Sequence, residues 1–129
     1  MSEIEGKKVL LVEDDVFVSD VYSTRLSKEG YQVFLMNNGR DAVGWLETNI
    51  PDIVLLDIMM PYMDGIEVLK ELRQKDSCKE VPVIMLTNLS EKENIREAIS
   101  LGANDYLIKS HFTPSEIVTK VNVFFEPHS

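Results

Sequence analysis

Five short apolar runs punctuate the chain: Val9-Leu10-Leu11-Val12, Val33-Phe34-Leu35-Met36, Ile53-Val54-Leu55-Leu56, Val83-Ile84-Met85-Leu86 and Tyr106-Leu107-Ile108. None alternates apolar with polar residues. Continuous runs of this length, rich in Val and Ile, predict strands covered on both faces, the condition of a parallel sheet. Between the runs the spacing becomes helical: Val18, Val21, Tyr22, Arg25 and Leu26, then Ala42, Trp45 and Leu46, then Ile66, Leu69 and Leu72. Ile95, Ala98 and Ile99 follow the fourth run, and Ile117, Val121, Phe124 and Phe125 the fifth.

Helix boundaries are written in the polar residues. Ser90-Glu91-Lys92-Glu93 and Thr113-Pro114-Ser115-Glu116 both have the form of a capping box, the second with Pro at the first helical position, where its missing N–H costs nothing. Asn38 and Asp64 are capping residues followed three positions later by an acid that suits the positive helix end. Gly30 and Gly102 stand where two helices should stop. Five βα units in series result, and right-handed crossovers fold them into a parallel sheet between two helix layers. The expected architecture is a doubly wound α/β fold, flavodoxin-like, with strand order 2-1-3-4-5. Residues 1–129 are expected to form one domain with its core over about 7–125 and no room for a second.

Composition narrows the function. The 129 residues are 44% hydrophobic, which supplies a core, and carry a net charge of −9 with no basic cluster. Such a surface disfavours nucleic acid and anionic lipid and favours basic partners or cations. A single cysteine, Cys78, excludes an internal disulfide framework and matches no metal-ligand spacing. The start of the chain has acids where a signal peptide has basic residues, and no apolar stretch approaches the ~20 residues of a membrane span. A cytoplasmic protein without a membrane segment is expected.

In open α/β sheets ligands bind beyond the carboxyl ends of the strands, near the point where strand order reverses. The strands there exit into Glu13-Asp14-Asp15, Asp57, Thr87-Asn88 and Lys109-Ser110, whereas the second strand, to one side, exits into Asn37-Asn38-Gly39. Each residue has an ordinary role available: Asp14 or Asp15 as a helix cap, Asp57 and Thr87 as turn residues, Lys109 as a solvated strand end. Their convergence on one end of one sheet is what sets them apart. Two carboxylates about 4 Å apart repel by roughly 4 kcal/mol at an effective dielectric of ~20, so a cluster of three calls for compensation. Oxygen ligands without His or Cys suit a hard cation, and Mg²⁺ in particular shares its coordination with phosphate. A carboxylate beside Mg²⁺, with a hydroxyl and a lysine for phosphoryl oxygens, is the equipment for an aspartyl phosphate. Asp57, ending the central strand, is the natural nucleophile, with Glu13 and Asp14 as metal ligands.

Four segments in register carry a resemblance: Val9 to Asp15, Asp57-Ile58-Met59-Met60-Pro61-Tyr62-Met63-Asp64-Gly65, Pro82 to Thr87, and Gly102-Ala103-Asn104-Asp105-Tyr106-Leu107-Ile108-Lys109. From Lys7 to Phe125 the chain resembles the receiver domain of two-component response regulators. The resemblance implies that Asp57 accepts a phosphoryl group from a sensor histidine kinase or a histidine phosphotransfer protein. It implies direct Mg²⁺ ligation by Asp14 and Asp57, a water-mediated role for Glu13, and a backbone carbonyl ligand from Met59. Thr87 and Lys109 would hold phosphoryl oxygens, Tyr106 would turn inward as the switch, and the face of helix four, strand five and helix five would dock a target protein, a domain of a longer parent chain, or a second copy on phosphorylation. Such a domain catalyses only its own phosphorylation and dephosphorylation.

Two departures stand next to the site. Ser110 follows Lys109 where the family usually has Pro, often after a cis bond, so the Lys109 geometry is the feature to inspect. Asn88 follows Thr87 where the family prefers Ala or Gly, and its amide is placed to shield or contact a phosphoryl group. Met59 and Leu89 fill the positions that in this family tune hydrolysis. Neither orients a water by hydrogen bonding, which predicts slow autodephosphorylation. The competing readings are a pseudo-receiver that docks without phosphorylation, a haloacid-dehalogenase-type phosphatase, which needs an Asp where Met59 stands, and a flavin carrier, whose phosphate loop the three acids replace. His111 and His128 read as solvated, the methionines 59, 60 and 63 as loop packing, Trp45 as core-facing, and Phe124-Phe125 as closing the last helix onto the sheet.

Overall fold

The computed structural model describes residues 3–126, so His128 lies outside the described residues. The five apolar runs form strands β1 (Lys8–Val12), β2 (Gln32–Met36), β3 (Ile53–Leu56), β4 (Val83–Thr87) and β5 (Asp105–Ile108). All pairings are parallel and the order is β2-β1-β3-β4-β5, as the sequence predicts. Helices α1 (Val16–Glu29), α2 (Gly39–Leu46), α3 (Gly65–Gln74), α4 (Lys92–Ser100) and α5 (Pro114–Asn122) alternate with them.

Because successive strand residues face opposite ways, each strand feeds two cores. Leu10, Val12, Val54, Leu56, Val83 and Met85 pack with Ala42 and Leu46 of α2, Leu69 and Leu72 of α3, and Ala98 of α4. Val9, Leu11, Ile53, Leu55, Ile84 and Leu86 pack on the other face with Tyr22 and Leu26 of α1 and Ile117 and Val121 of α5. Phe125 meets Tyr31 with ring centroids 5.9 Å apart, closing the end of the chain onto that core, and Trp45 packs on Phe34 at 5.0 Å.

Coverage on both faces holds for β1, β3 and β4 but not for the edges. Gln32 and Leu35 of β2 are exposed, and β5 buries only Leu107 fully, because each strand is paired along one edge only. On α1, Val21 faces solvent and Ser19 takes the buried position instead.

Asp15 caps α1, accepting from the N–H groups of Phe17 and Val18, which leaves Asp14 free of that duty. Asn38, Asp64 and Thr113 cap their helices through Asp41, Glu67 and Glu116 N–H, and the Thr113–Glu116 capping box forms in full. Gly30 ends α1 at φ 117 and Gly102 follows α4 at φ 104, both left-handed. The Ser90 capping box does not form. The chain stays extended through Glu91, the Leu89 carbonyl accepts from the Tyr106 hydroxyl, and α4 opens at Lys92 without a side-chain cap. Among the described residues no helix is long and apolar enough to cross a membrane.

Candidate functional site

Adjacent β1 and β3 end in register, Val12 beside Leu56, so the residues that follow them emerge side by side. Asp57 N–H donates to the Val12 carbonyl at 3.0 Å, extending the pairing by one residue. Both Glu13 and Asp57 are thereby buried at the carboxyl end of the sheet, while Asp14 is exposed. One oxygen from each of Glu13, Asp14 and Asp57 lies within 4.8 Å of the others.

Lysine supplies the counter-charge. Lys109 begins a short 3₁₀ turn, Lys109–His111, directly after β5, and its Nζ donates to Asp57 Oδ2 at 2.8 Å and contacts Glu13 Oε1. Asp57 Oδ1 accepts from its neighbours' backbone, Ile58 N–H at 2.7 Å and Met59 N–H at 3.4 Å. Glu13 Oε2 accepts from Asp15 N–H at 3.1 Å. Burial alone would push the Lys109 ammonium down, but its hydrogen bonds to Asp57 and Glu13 outweigh that and raise its pKa above the usual lysine value. Burial pushes Glu13 the other way, up to about 7 against the pull of Lys109.

Glu13 therefore works against stability in metal-free protein. Its folded pKa lies above the unfolded value near 4.5, so the folded state binds more protons between those values and this group's penalty grows as pH rises from about 4.5 to about 7. Glu13→Gln is expected to remove the penalty. In EDTA, the unfolding free energy of the variant, from denaturant melts, should pull ahead of the parent's across that window, by on the order of 3 kcal/mol at its upper end. A gap that stays constant with pH would refute the assignment.

Thr87 is buried at the end of β4, its Oγ1 accepting from Leu89 N–H at 3.4 Å. Tyr106 is half-buried on β5, and its hydroxyl donates to the Leu89 carbonyl at 2.7 Å. Met59 is 65% exposed, and with Asp14, Ile58, Met60, Asp64 and Leu89 it lines an open cavity of about 530 Å³ at the mouth of the site. No peptide bond among the described residues is cis, so Lys109 reaches the carboxylates across a trans bond to Ser110. His111 is exposed and outside the cluster.

Two supporting residues escaped the reading of the sequence. Asn37, set aside with the second strand, donates from Nδ2 to the Glu13 carbonyl at 3.0 Å and holds the acidic turn against β2. Gly65 lets α3 begin directly against the nucleophile: a Cβ there would run into the Asp57 carbonyl oxygen and approach Ile58 Cα at 2.8 Å. Its sequence signals are its place at the end of the Asp57–Gly65 segment and the Asp64-Gly65 pair, which also reads as a plain helix cap.

Three carboxylates with oxygens this close, and no His or Cys among them, form a donor set that fits a hard divalent cation. The wider arrangement pairs a buried carboxylate with a charged lysine and an open mouth, which suits attack by Asp57 on an anionic electrophile.

Residues 9–122 match the family model for the response regulator receiver domain. The probable transcriptional regulator ycf27 of Guillardia theta is 41% identical over 120 residues, covering 92% of this chain and 46% of the relative. The receiver domain of the Francisella response regulator 1452 is 34% identical with a TM-score of 0.84, over 93% of this chain and 97% of that one. The phosphorylated cyanobacterial phytochrome response regulator RcpA is 28% identical with a TM-score of 0.83, over 93% and 94%. The chain spans about half the length of the curated relatives it matches.

Proposed function

The chain belongs to the response regulator receiver domain family, and from that membership we propose that Asp57 accepts a phosphoryl group from the phosphohistidine of a sensor histidine kinase or a histidine phosphotransfer protein. The observation that carries the reading is the setting of Asp57: a buried carboxylate bonded to Lys109, with oxygens of Glu13 and Asp14 within 4.8 Å. An Asp57 oxygen forms the bond to phosphorus as the P–N bond breaks, and the electron pair stays with the leaving imidazole. Lys109 holds the charge of one phosphoryl oxygen and Thr87 donates its hydroxyl to another. Glu13, Asp14, Asp57 and the Met59 carbonyl are the residues to hold Mg²⁺, which when bound supplies positive charge against the carboxylates and the phosphoryl group.

Tyr106 is the switch in this reading. Its bond to the Leu89 carbonyl ties β5 to the loop that follows Thr87, so a move of Thr87 toward phosphate is felt at Tyr106. The output face is α4, β5 and α5. Of α4 only Ala98 is buried, so little packing resists a shift of that helix, and the exposed Ile99 gives a docking partner or a second copy an apolar contact. A domain in the same parent chain, or a separate target protein, would read the change. A kinase donor implies the cytoplasm as its compartment, and the protein's own catalysis extends only to gaining and slowly losing its phosphoryl group.

Intact mass after incubation with acetyl phosphate tests the proposal. One alkali-labile phosphoryl group is expected with Mg²⁺ and none with EDTA. No adduct, together with no effect of beryllofluoride and Mg²⁺ on stability, would replace this reading with that of an unphosphorylated docking module. Because the apolar side chains of Met59 and Leu89 line the mouth and neither orients a water, the adduct is expected to outlast that of receivers with Asn, Glu or Gln there. Decay within seconds in Mg²⁺ would overturn that expectation.

A further inference from the structure

The two departures beside the site meet each other. Asn88 Oδ1 accepts from the Ser110 N–H at 3.2 Å, joining the loop after β4 to the turn after β5 across 22 positions of sequence. A proline at 110 would have no N–H to give, and an alanine or glycine at 88 no acceptor to offer. Ser110 follows directly on Lys109, and both belong to the turn that aims Nζ at Asp57 and Glu13. The next residue of the β4 loop is also fastened to β5, through the Tyr106 hydroxyl on the Leu89 carbonyl. Two successive residues of that loop are thus buttoned to β5 and its exit, and the Asn88 button is the one beside Lys109.

We propose that Asn88 is a positioning residue for Lys109: its carboxamide holds the Ser110 N–H and so fixes the turn from which the lysine reaches Asp57. The functional half rests on the receiver reading above. To sit between two carboxylates the lysine needs both a fixed side chain and a fixed backbone from which it extends, and a turn anchored at the following residue has already lost the backbone part of that freedom. The latch thereby acts on the chemical step, and the exposed mouth still governs how the donor enters.

Four variants separate this role from simple shielding of the phosphoryl group. Asn88→Leu removes the acceptor but keeps the bulk, Asn88→Ala removes both, Ser110→Pro removes the donor, and Ser110→Ala keeps it. In the metal-free protein, NMR should show faster exchange of the Ser110 amide in Asn88→Leu, with shift changes at Ile58 and Met59 that Ser110→Ala lacks. With acetyl phosphate and Mg²⁺, Asn88→Leu and Ser110→Pro should each lower the saturating phosphorylation rate about fivefold, the equivalent of about 1 kcal/mol, at unchanged donor KM. Their double variant should be no slower than either, since both remove one contact. An unchanged Ser110 amide in Asn88→Leu, or additive losses in the double variant, would overturn the latch. Rates changed only in Asn88→Ala would assign the residue to shielding instead. Absence of phosphorylation in the parent protein would count against the receiver reading, with the Ser110 amide still deciding the latch.

Discussion

Asp57→Asn is expected to take up no phosphoryl group from acetyl phosphate while its unfolding free energy stays within about 1 kcal/mol of the parent's. The amide keeps one oxygen, enough either for the Ile58 N–H or for Lys109 but not for both, which costs about one hydrogen bond. Against that, the substitution removes one of three carboxylates whose oxygens lie within 4.8 Å, where each like-charged pair repels by about 3 kcal/mol before the lysine's counter-charge is considered. The Asp57 charge is also among the influences that raise Glu13, so that carboxyl should titrate lower in the variant. Loss of the adduct in a protein that melts normally, with a weakened response to Mg²⁺, would locate the chemistry at this oxygen. An adduct that persists in Asp57→Asn would show that another group is modified.

Gly65→Ala is expected to cost about 3 kcal/mol of stability and to slow phosphorylation as well. The three atoms nearest the added methyl are all backbone, the Asp57 carbonyl oxygen and, both at 2.8 Å, the Asp57 carbonyl carbon and Ile58 Cα, so no rotation of a side chain relieves the contact. Either α3 moves off, breaking the Gly65 N–H bond to the Ile58 carbonyl (2.8 Å) and uncovering Ile66 and Leu69, or the Asp57 backbone yields and carries the nucleophile away from Lys109. Gly44→Ala is the matched control: nothing lies within 4 Å of its Cβ position on the exposed side of α2, so a gain of about 0.5–1 kcal/mol is expected. Denaturant melts of the two variants, read beside their phosphorylation rates, check both. Equal stability of the two would remove the steric argument.

The fold was legible because its signals are local and consistent with one another. A Val- and Ile-rich run states a buried strand, and Asp64, Asn38, Thr113 and Gly30 state helix ends within a few residues of where they act. Ser90 misled because α4 starts one residue later than the pattern implies, with Glu91 at the N-cap position and no side-chain cap. The exposure of β2 misled for a different reason: the strand's composition matches β1, and only its place at the edge uncovers Leu35. Site residues at strand ends could be read from topology alone, since parallel strands deliver their exits to one crevice. Their supports could not. Asn37 holding the Glu13 carbonyl, Gly65 against Asp57 and Asn88 on Ser110 are contacts between segments, and no spacing rule within a segment encodes them.

The strand order carries one more consequence, for the chain as it is made. β4 is buried along its whole length and shares one of its two hydrogen-bonding edges with β5, whose residues pair with it from 21 positions further on, as Ile84 with Asp105. Until the residues of β5 have joined, Val83 to Thr87 form an unguarded apolar border with free N–H and C=O groups, the kind of template on which nascent chains stick to one another. The last βα unit thus serves as the hem of the sheet, and a chain interrupted before Asp105 would be expected to aggregate.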